Sequence, residues 1–308
     1  MVALSVVIPC FNEEAVLDEL RRRLIPACES VVGQDFEIVL VDDGSTDATR
    51  QMLRRFRSED ARFIVVRLAR NYGHQLALTA GLGLANGQRI FVIDADLQDP
   101  PELLGEMMAR MDEGFDVVYG ERRRRSGDSA FKKGSAHLFY RMLARLIEFD
   151  LPLDAGDFRL MSRRVVDILQ RMPEQHRFIR GMISWIGLPQ TAVTYDRDQR
   201  FAGETKYPLR RMVRFALDAI TGFSVIPLKL ATWGGFALAG LSVVLMVFVI
   251  ASWLEDDTVP GWSSLMVVVL LIGSFQLVVI GILGEYVGRL FIQSKARPMF
   301  VIEEILGP

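Results

Sequence analysis

Two cysteines, Cys10 and Cys28, are all that 308 residues contain. That is too few for a disulfide framework and fits a reducing compartment. Histidine is as scarce: His74, His137 and His176 have no partner at metal-ligand spacing, so no zinc site is expected. His74 reads as an ordinary satisfied polar side chain. Met1 to Pro9 lacks the basic stretch and the apolar length of a signal peptide, so the soluble part is expected to start and stay in the cytoplasm. No GxxxxGKS/T phosphate loop occurs. The nearest thing to a dinucleotide fingerprint, Gly81-Leu82-Gly83-Leu84-Ala85-Asn86-Gly87, falls late in a helical stretch instead of between strand and helix. A nicotinamide dehydrogenase is therefore not expected.

What is present divides in two. Half of the residues are hydrophobic, and the excess lies after residue 227, so a soluble part precedes a membrane part. The net charge of -2 hides short runs of Arg and Lys before the apolar tail. In the soluble part, Leu4–Pro9, Glu37–Val41, Phe63–Leu68, Arg89–Ile93 and Asp116–Gly120 read as strands. Helices are expected from Asn12-Glu13-Glu14 to about Val31, from Ser45 or Asp47 as cap through Arg57, and from Gly73 to about Ala85. Strands alternating with helices imply an α/β, doubly wound, mostly parallel sheet.

The stretch Ile90-Phe91-Val92-Ile93-Asp94-Ala95-Asp96 sends four apolar residues straight into two carboxylates. At the carboxyl end of a buried parallel strand, that is where open α/β sheets bind ligands. Two carboxylates at i and i+2 repel unless a cation joins them. Hard oxygen ligands suit Mg²⁺ or Mn²⁺, ions that also hold substrate phosphates. Gln98 offers a third oxygen; the bland reading is a solvated Asp-rich loop ended by Pro100-Pro101. Pro9–Glu14 and Asp42–Asp47 end two other strands in the same manner, which gathers acid at one sheet edge. Asp42 is placed to accept from a nucleobase NH or a ribose hydroxyl, against the alternative of an ordinary Asp-Asp-Gly-Ser turn.

Val7-Ile8-Pro9-x-x-Asn12-Glu13-Glu14, Val41-Asp42-Asp43-Gly44-Ser45-x-Asp47 and Asp94-Ala95-Asp96-Leu97-Gln98-Asp99-Pro100-Pro101 resemble family 2 glycosyltransferases of GT-A fold. Asn71-x-Gly73-His74, Gly120-Glu121-Arg122, Asp154–Leu160 and Gly203–Tyr207 narrow the resemblance to polyprenyl-phosphate glycosyltransferases, including dolichol-phosphate mannose synthases and bacterial relatives. Motif by motif, the resemblance implies that Pro9, Glu13 or Glu14 and Asp42 hold the uridine or guanosine end, with Asn12 and Asp43 in the same donor-binding set. It implies that Asp94, Asp96 and Gln98 hold Mg²⁺ or Mn²⁺ on the diphosphate, and that Asp157 is the catalytic base. Asp96 and Arg122 complete the catalytic set. An acceptor phosphate with a second pKa near ~6 needs little deprotonation at neutral pH. We therefore expect Asp157 to position the acceptor or the metal more than to take a proton.

Arg122–Arg125 and Lys132-Lys133 read as a solvated loop or as a mobile lid over phosphates, for which arginine has bidentate geometry. No aromatic residues interleave with the run, so nucleic acid is not expected. Arg177, Arg180 and Lys206 are further candidates for the acceptor phosphate. The QxxRW motif of processive synthases is missing at His176-Arg177-x-x-Arg180, which favours transfer of a single sugar.

Pro208–Ser224 reads as an amphipathic helix on anionic lipid. Leu228–Leu254, about 27 residues, and Trp262–Leu283 are each long enough to span a bilayer. Gly284–Arg289 closes the second span, and Glu285 is expected to be solvated, the alternative being a pair with a basic group at the interface. Basic residues outside the pair and the acidic turn Glu255–Asp257 place both ends in the cytoplasm. Gly234, Gly235, Ala239 and Gly240 are expected to let helices pack closely, in a homo-oligomer between subunits. The expected domains are residues 1–206 (GT-A), 207–227 (interfacial helix), 228–290 (two transmembrane helices) and 291–308 (cytosolic tail). The expected function is metal-dependent, inverting transfer of one hexose, glucose from UDP-glucose first, to undecaprenyl or dolichyl phosphate. The enzyme would be multi-pass in the inner membrane with its catalytic domain cytoplasmic. The alternatives are another sugar, such as mannose or an aminoarabinose, another lipid acceptor, or a nucleotide-binding scaffold without turnover.

Overall fold

The computed structural model describes residues 2–122, 155–175, 177–196, 224–254 and 261–307. The expected alternation is present: β1 (Leu4–Cys10), α1 (Leu17–Val32), β2 (Phe36–Asp42), α2 (Thr49–Glu59), β3 (Phe63–Leu68), α3 (His74–Leu84), β4 (Arg89–Val92), α4 (Leu104–Asp112) and β5 (Val117–Arg122). Next come β6 (Ala155–Ser162), α5 (Arg163–Arg171), α6 (Ile179–Ile186) and β7 (Gln190–Tyr195). A last strand, β8 (Ile302–Leu306), follows the apolar helices.

The strands form one sheet in the order β7-β5-β6-β4-β1-β2-β3-β8. Strands β4, β1, β2 and β3 are parallel neighbours. Strand β6 enters antiparallel between β4 and β5, and β7 runs parallel to β5. This arrangement brings the start of β6 and the ends of β5 and β7 to the edge where β1, β2 and β4 end.

The period of two explains the burial. Leu4, Val6 and Ile8 of β1, with Ile38 and Leu40 of β2, join a core with Leu20 and Leu24 of α1, Phe56 of α2 and Met107 of α4. Val7 and Val41 point to the other face, where α3 lies. Both faces are covered, so β1 and β2 are apolar almost throughout. Helix α3 comes so close that a Cβ on Gly81 would lie 2.4 Å from Val7 Cγ1 and 2.9 Å from Val41 Cγ2.

Strand β8 lies within 291–308, the stretch expected as a cytosolic tail. Residues 302–306 pair antiparallel with β3. Glu304 forms an ion pair with Arg54 at 2.7 Å, and Glu303 with Arg67 at 2.6 Å. Its five residues alternate weakly, and pairing with a strand more than 200 positions earlier leaves no local signal.

A second unit contains α7 (Ile226–Leu254) and α8 (Trp262–Ser294). Both are long and apolar enough to cross a membrane. Large apolar side chains along them, Trp233 and Leu277 among them, are exposed, as lipid-facing residues are. Gly234 packs within the pair: a Cβ there would lie 2.6 Å from Phe275 Cζ. Gly235 and Gly240 face open space. Helix α8 runs past the expected close at Arg289, and Glu285 pairs with Arg289 at 3.0 Å, the alternative reading, while its side chain stays exposed. The amphipathic helix expected over 208–224, the basic loop after Arg122 and the acidic turn at 255–257 lie outside the described residues, apart from Ser224.

The Gly81 contact is testable. Gly81→Val forces two branched side chains apart, and overpacking of this kind costs about 1–3 kcal/mol. We expect a lower unfolding midpoint of the full chain in detergent; an unchanged midpoint would show that α3 can lift off the sheet at no cost.

Candidate active site

The loops after β1 and β2 are stitched together. Asn12 N donates to Ser45 Oγ at 3.0 Å, and Thr46 N donates to Asn12 Oδ1 at 2.8 Å. Glu13 N donates to Thr49 Oγ1 at 2.8 Å. Glu14 accepts from Ala48 N at 2.8 Å, and Asp47 accepts from Thr49 N at 3.0 Å. Both carboxylates thus sit at the positive end of α2. Asn12 has φ 58°, a left-handed backbone that Asn tolerates better than most residues. Gly44, at φ 73°, passes so close to the next loop that a Cβ would lie 2.7 Å from Asn71 N.

The two adjacent aspartates of β2 and its loop divide the work. Asp43 turns both oxygens onto backbone, accepting from Tyr72 N at 2.7 Å and Gly73 N at 2.9 Å. It braces the loop leading to His74, and the structure does not offer its oxygens to a ligand. Asp42 accepts from Ser45 N at 2.8 Å with Oδ1, as the turn reading requires. Its Oδ2 is buried without a hydrogen-bond partner. Such an oxygen is costly unless something fills its valence, which suits a nucleobase or ribose donor. Pro9 is buried at the end of β1, opposite Val41.

Asp157, on the first turn-in of β6, is the centre of the other half. His74 Nε2 lies 3.0 Å from Asp157 Oδ2, and Gln75 Nε2 donates to the same oxygen at 2.9 Å. Gln75 is itself held by Ile179 N, which donates to its Oε1 at 3.0 Å. Arg180 Nε lies 3.3 Å and Arg159 3.9 Å from Asp157 Oδ1. Burial alone would raise the Asp157 carboxyl. The His74 hydrogen bond and the charges of Arg180, His74 and Arg159 outweigh it and hold the group well below the usual range. Burial likewise opposes protonation of His74, yet Asp157 and Asp94 raise it to about 9. The pair is therefore imidazolium and carboxylate at neutral pH, and a carboxylate so stabilised is a weak base.

Asp94 lies 3.5 Å from His74 Nε2. Its Oδ1 is buried without a hydrogen-bond partner, and burial, opposed by His74 and aided by Asp157, Asp99 and Asp96, pushes the carboxyl up to about 6. Leu97, buried at φ 58°, bends the turn that carries Asp94 and Asp96. Asp96 Oδ1 accepts from Gln98 N at 3.2 Å. Among the described residues no three His, Cys, Asp or Glu side chains gather at metal-binding spacing. Asp94, with His74 as a neighbouring cation, and Asp96 beside it still fit a divalent cation of the kind that takes one or two carboxylates and completes its shell with phosphates and water. Gln98 enters the turn through its backbone amide.

Arg180 joins this group; Arg177 does not. The Arg177 guanidinium donates to Leu169 O and Met172 O, both at 2.7 Å, at the carboxyl end of α5. Lys206 lies outside the described residues. Arg122 reaches Asp99 and Tyr195. His74, which sequence reasoning took as ordinary, is the residue most clearly missed, with Gln75, Arg159, Asp99 and Tyr195. The available signal was position: His74 opens a helix directly after a Gly, at the amino end of a βα crossover onto the ligand edge.

The description "Glycosyl transferase family 2" matches residues 5–169, which covers the ends of β1, β2 and β4 and the Asp157 strand. A glycosyltransferase of Bacillus subtilis (strain 168), YkcC, is 44% identical over 304 residues, 98% of this chain and 94% of its own. A bactoprenol glucosyl transferase of Shigella phage SfV is 36% identical over 306 residues, 97% of this chain and 98% of its own. Among solved structures, glucosyl-3-phosphoglycerate synthase from Mycobacterium tuberculosis, in complex with Mn²⁺, uridine diphosphate and phosphoglyceric acid, is similar with a TM-score of 0.47 and 23% identity, covering 71% of this chain and 76% of that one. With its carboxylate-lined sheet edge and a likeness that runs through both apolar helices, the chain belongs to glycosyl transferase family 2 and is a glycosyltransferase of GT-A fold.

Proposed function

We propose that this enzyme moves one hexose from a nucleotide sugar to a polyprenyl phosphate at the cytoplasmic face of the inner membrane, with glucose from UDP-glucose as the first donor to test. One observation carries the reading: the acidic edge and the His74–Asp157–Arg180 group occur in a chain that also has two membrane-length apolar helices. The bactoprenol in the name of the SfV relative supports the acceptor class.

Connectivity supports the topology. Strand β8 follows α8 yet pairs with β3, so the segments on both sides of the helix pair belong to one sheet-bearing unit. Two crossings return the chain to the side it left. Arg210, Arg211 and Arg214 precede the pair, Lys229 lies in the first turn of α7 and Arg289 near the end of α8, and Lys295 and Arg297 follow it. By the positive-inside rule that side is the cytoplasm, where nucleotide sugars are made.

In an inverting transfer, an acceptor phosphate oxygen bonds to the anomeric carbon as that carbon's bond to the donor diphosphate breaks. The electron pair leaves with the nucleoside diphosphate. Asp42, through its unpaired Oδ2, accepts from the donor's base or ribose. Asp94 and Asp96 hold Mg²⁺ or Mn²⁺, which when bound supplies positive charge against the leaving diphosphate. Arg180 and His74 present cations for the acceptor phosphate, and Asp157 fixes both. The acceptor arrives ionised, so no proton has to be removed by Asp157.

Two experiments test this. Purified protein in detergent, given undecaprenyl phosphate, Mg²⁺ or Mn²⁺ and a panel of radiolabelled nucleotide sugars, should carry label into the organic phase. EDTA should abolish the transfer, and Asp96→Ala should cut it about 10²-fold or more with folding intact; no label from any donor would overturn the acceptor class. Asp157→Asn should lower kcat about 10²-fold, as a misplaced reactant does, with the residual activity falling as pH rises, because His74 loses the carboxylate that raises its pKa. A residual activity climbing steeply with pH would instead make Asp157 a true base.

A further inference from the structure

We propose that Asp99 and Tyr195 are positioning residues: they lock the Arg122 guanidinium beside the Asp94–Asp96 turn so that it meets the donor diphosphate. The inference rests on the donor reading above but concerns residues which that reading leaves unused.

The three side chains close a triangle. The Tyr195 hydroxyl donates to Asp99 Oδ1 and accepts from Arg122 Nε at 3.3 Å. Arg122 Nη2 lies 3.4 Å from each Asp99 oxygen. The corners come from three elements: the turn after β4, the end of β5 and the end of β7. Strand register sets one side of the triangle, because Arg122 and Tyr195 are directly paired across β5 and β7. Asp99 and Tyr195 are buried, while the Arg122 side chain is 23% exposed and can meet a ligand.

The surroundings are shaped for this lock. A Cβ on Gly120 would lie 2.7 Å from Tyr195 Cε1 and 2.4 Å from Phe158 Cδ1. A Cβ on Gly156 would lie 2.8 Å from Arg122 Nη2. Two glycines inside strands, where glycine weakens pairing, leave the space that the Tyr195 ring and the guanidinium fill. Phe158 packs edge-on to Tyr195 at 5.5 Å between ring centroids, which fixes the phenol. Burial, aided by Asp99, also raises the Tyr195 hydroxyl above its ordinary range, so it remains a donor.

Asp99 is the third carboxylate of the Asp94–Asp99 turn and by type a candidate metal ligand. Its oxygens face Arg122 and Tyr195 instead. It therefore ties the metal-binding turn and the arginine into one rigid piece. With Nε and Nη2 engaged, Nη1 is left for a phosphate oxygen, and Asp94 acts on the same guanidinium through its charge. An arginine held in this manner loses little freedom when it binds phosphate.

The test compares Tyr195→Phe, which removes one oxygen, and Asp99→Asn with the unsubstituted full chain in detergent with Mg²⁺. Calorimetry would measure binding of UDP and uridine, with GDP and guanosine as the second pair. We expect the diphosphate to bind about 10-fold more weakly to each variant, the loss of one hydrogen bond to a charged group. Nucleoside binding should stay unchanged, and because each variant leaves a buried polar group short of a partner and lowers the melting temperature, binding is measured well below that temperature. Equal weakening of nucleoside and nucleoside diphosphate, or no weakening of either, would overturn the positioning role. An unsubstituted protein that binds neither UDP nor GDP would overturn the donor reading itself, and is recognised without any variant.

Discussion

Acid crowded on one sheet edge is the constraint on which the rest of this structure depends. Asp42, Asp43, Asp94, Asp96, Asp99 and Asp157 stand at the ends of neighbouring strands, and in a partly desolvated crevice like charges repel by kilocalories. Each is balanced differently, and the differences sort their roles. Asp43 is neutralised by backbone N–H groups and becomes a brace. Asp157 is surrounded by His74, Gln75, Arg159 and Arg180 and stays ionised. Asp99 is matched by Arg122 and Tyr195. Asp42, Asp94 and Asp157 each keep one buried oxygen without a hydrogen bond, and those of Asp94 and Asp157 face His74 and Arg180. The Asp42 oxygen is where a ligand's donor has most to gain.

The crowding is a product of strand direction. Parallel β4, β1 and β2 bring their carboxyl ends to one edge. Inserting β6 antiparallel beside β4 puts its start, with Asp157, at that edge. Reversing direction again at β5 returns Arg122 to it, and β7 follows with Tyr195. Helices α3 and α6 then begin there, supplying His74, Gln75 and Arg180. Charges separated by 83 residues, such as His74 and Asp157, meet because β6 enters antiparallel beside β4 and starts at the edge where α3 begins.

Two long helices interrupt the chain before its last strand. Their outward side chains remain apolar and uncovered, a surface that water does not tolerate at this size and lipid does. Strand β8 returns to the far edge of the sheet and seats Glu303 and Glu304 against Arg67 and Arg54. Sheet and helix pair are thus separate bodies in packing, yet continuous in sequence at both ends.

Much of this was legible in the residues alone. Apolar runs that stop at Asp42 and at Asp94 announce buried parallel strands with a polar end, because local periodicity and the hydrophobic effect act on near neighbours. The two apolar helices were legible for the same reason. What the residues could not say was which acid does what. Asp42 and Asp43 are adjacent and chemically identical, and only the loop that folds over Asp43 separates them. Arg177 and Arg180 are three positions apart, and only the packing of α5 against α6 turns one to helix carbonyls and the other to Asp157. His74 looked ordinary until β6 arrived beside it. The sequence by itself determined the elements, the acidic edge and the pair of membrane-length helices; tertiary structure decided the charge partners, because partners that lie far apart in the chain are chosen by strand order and direction, which no local pattern encodes.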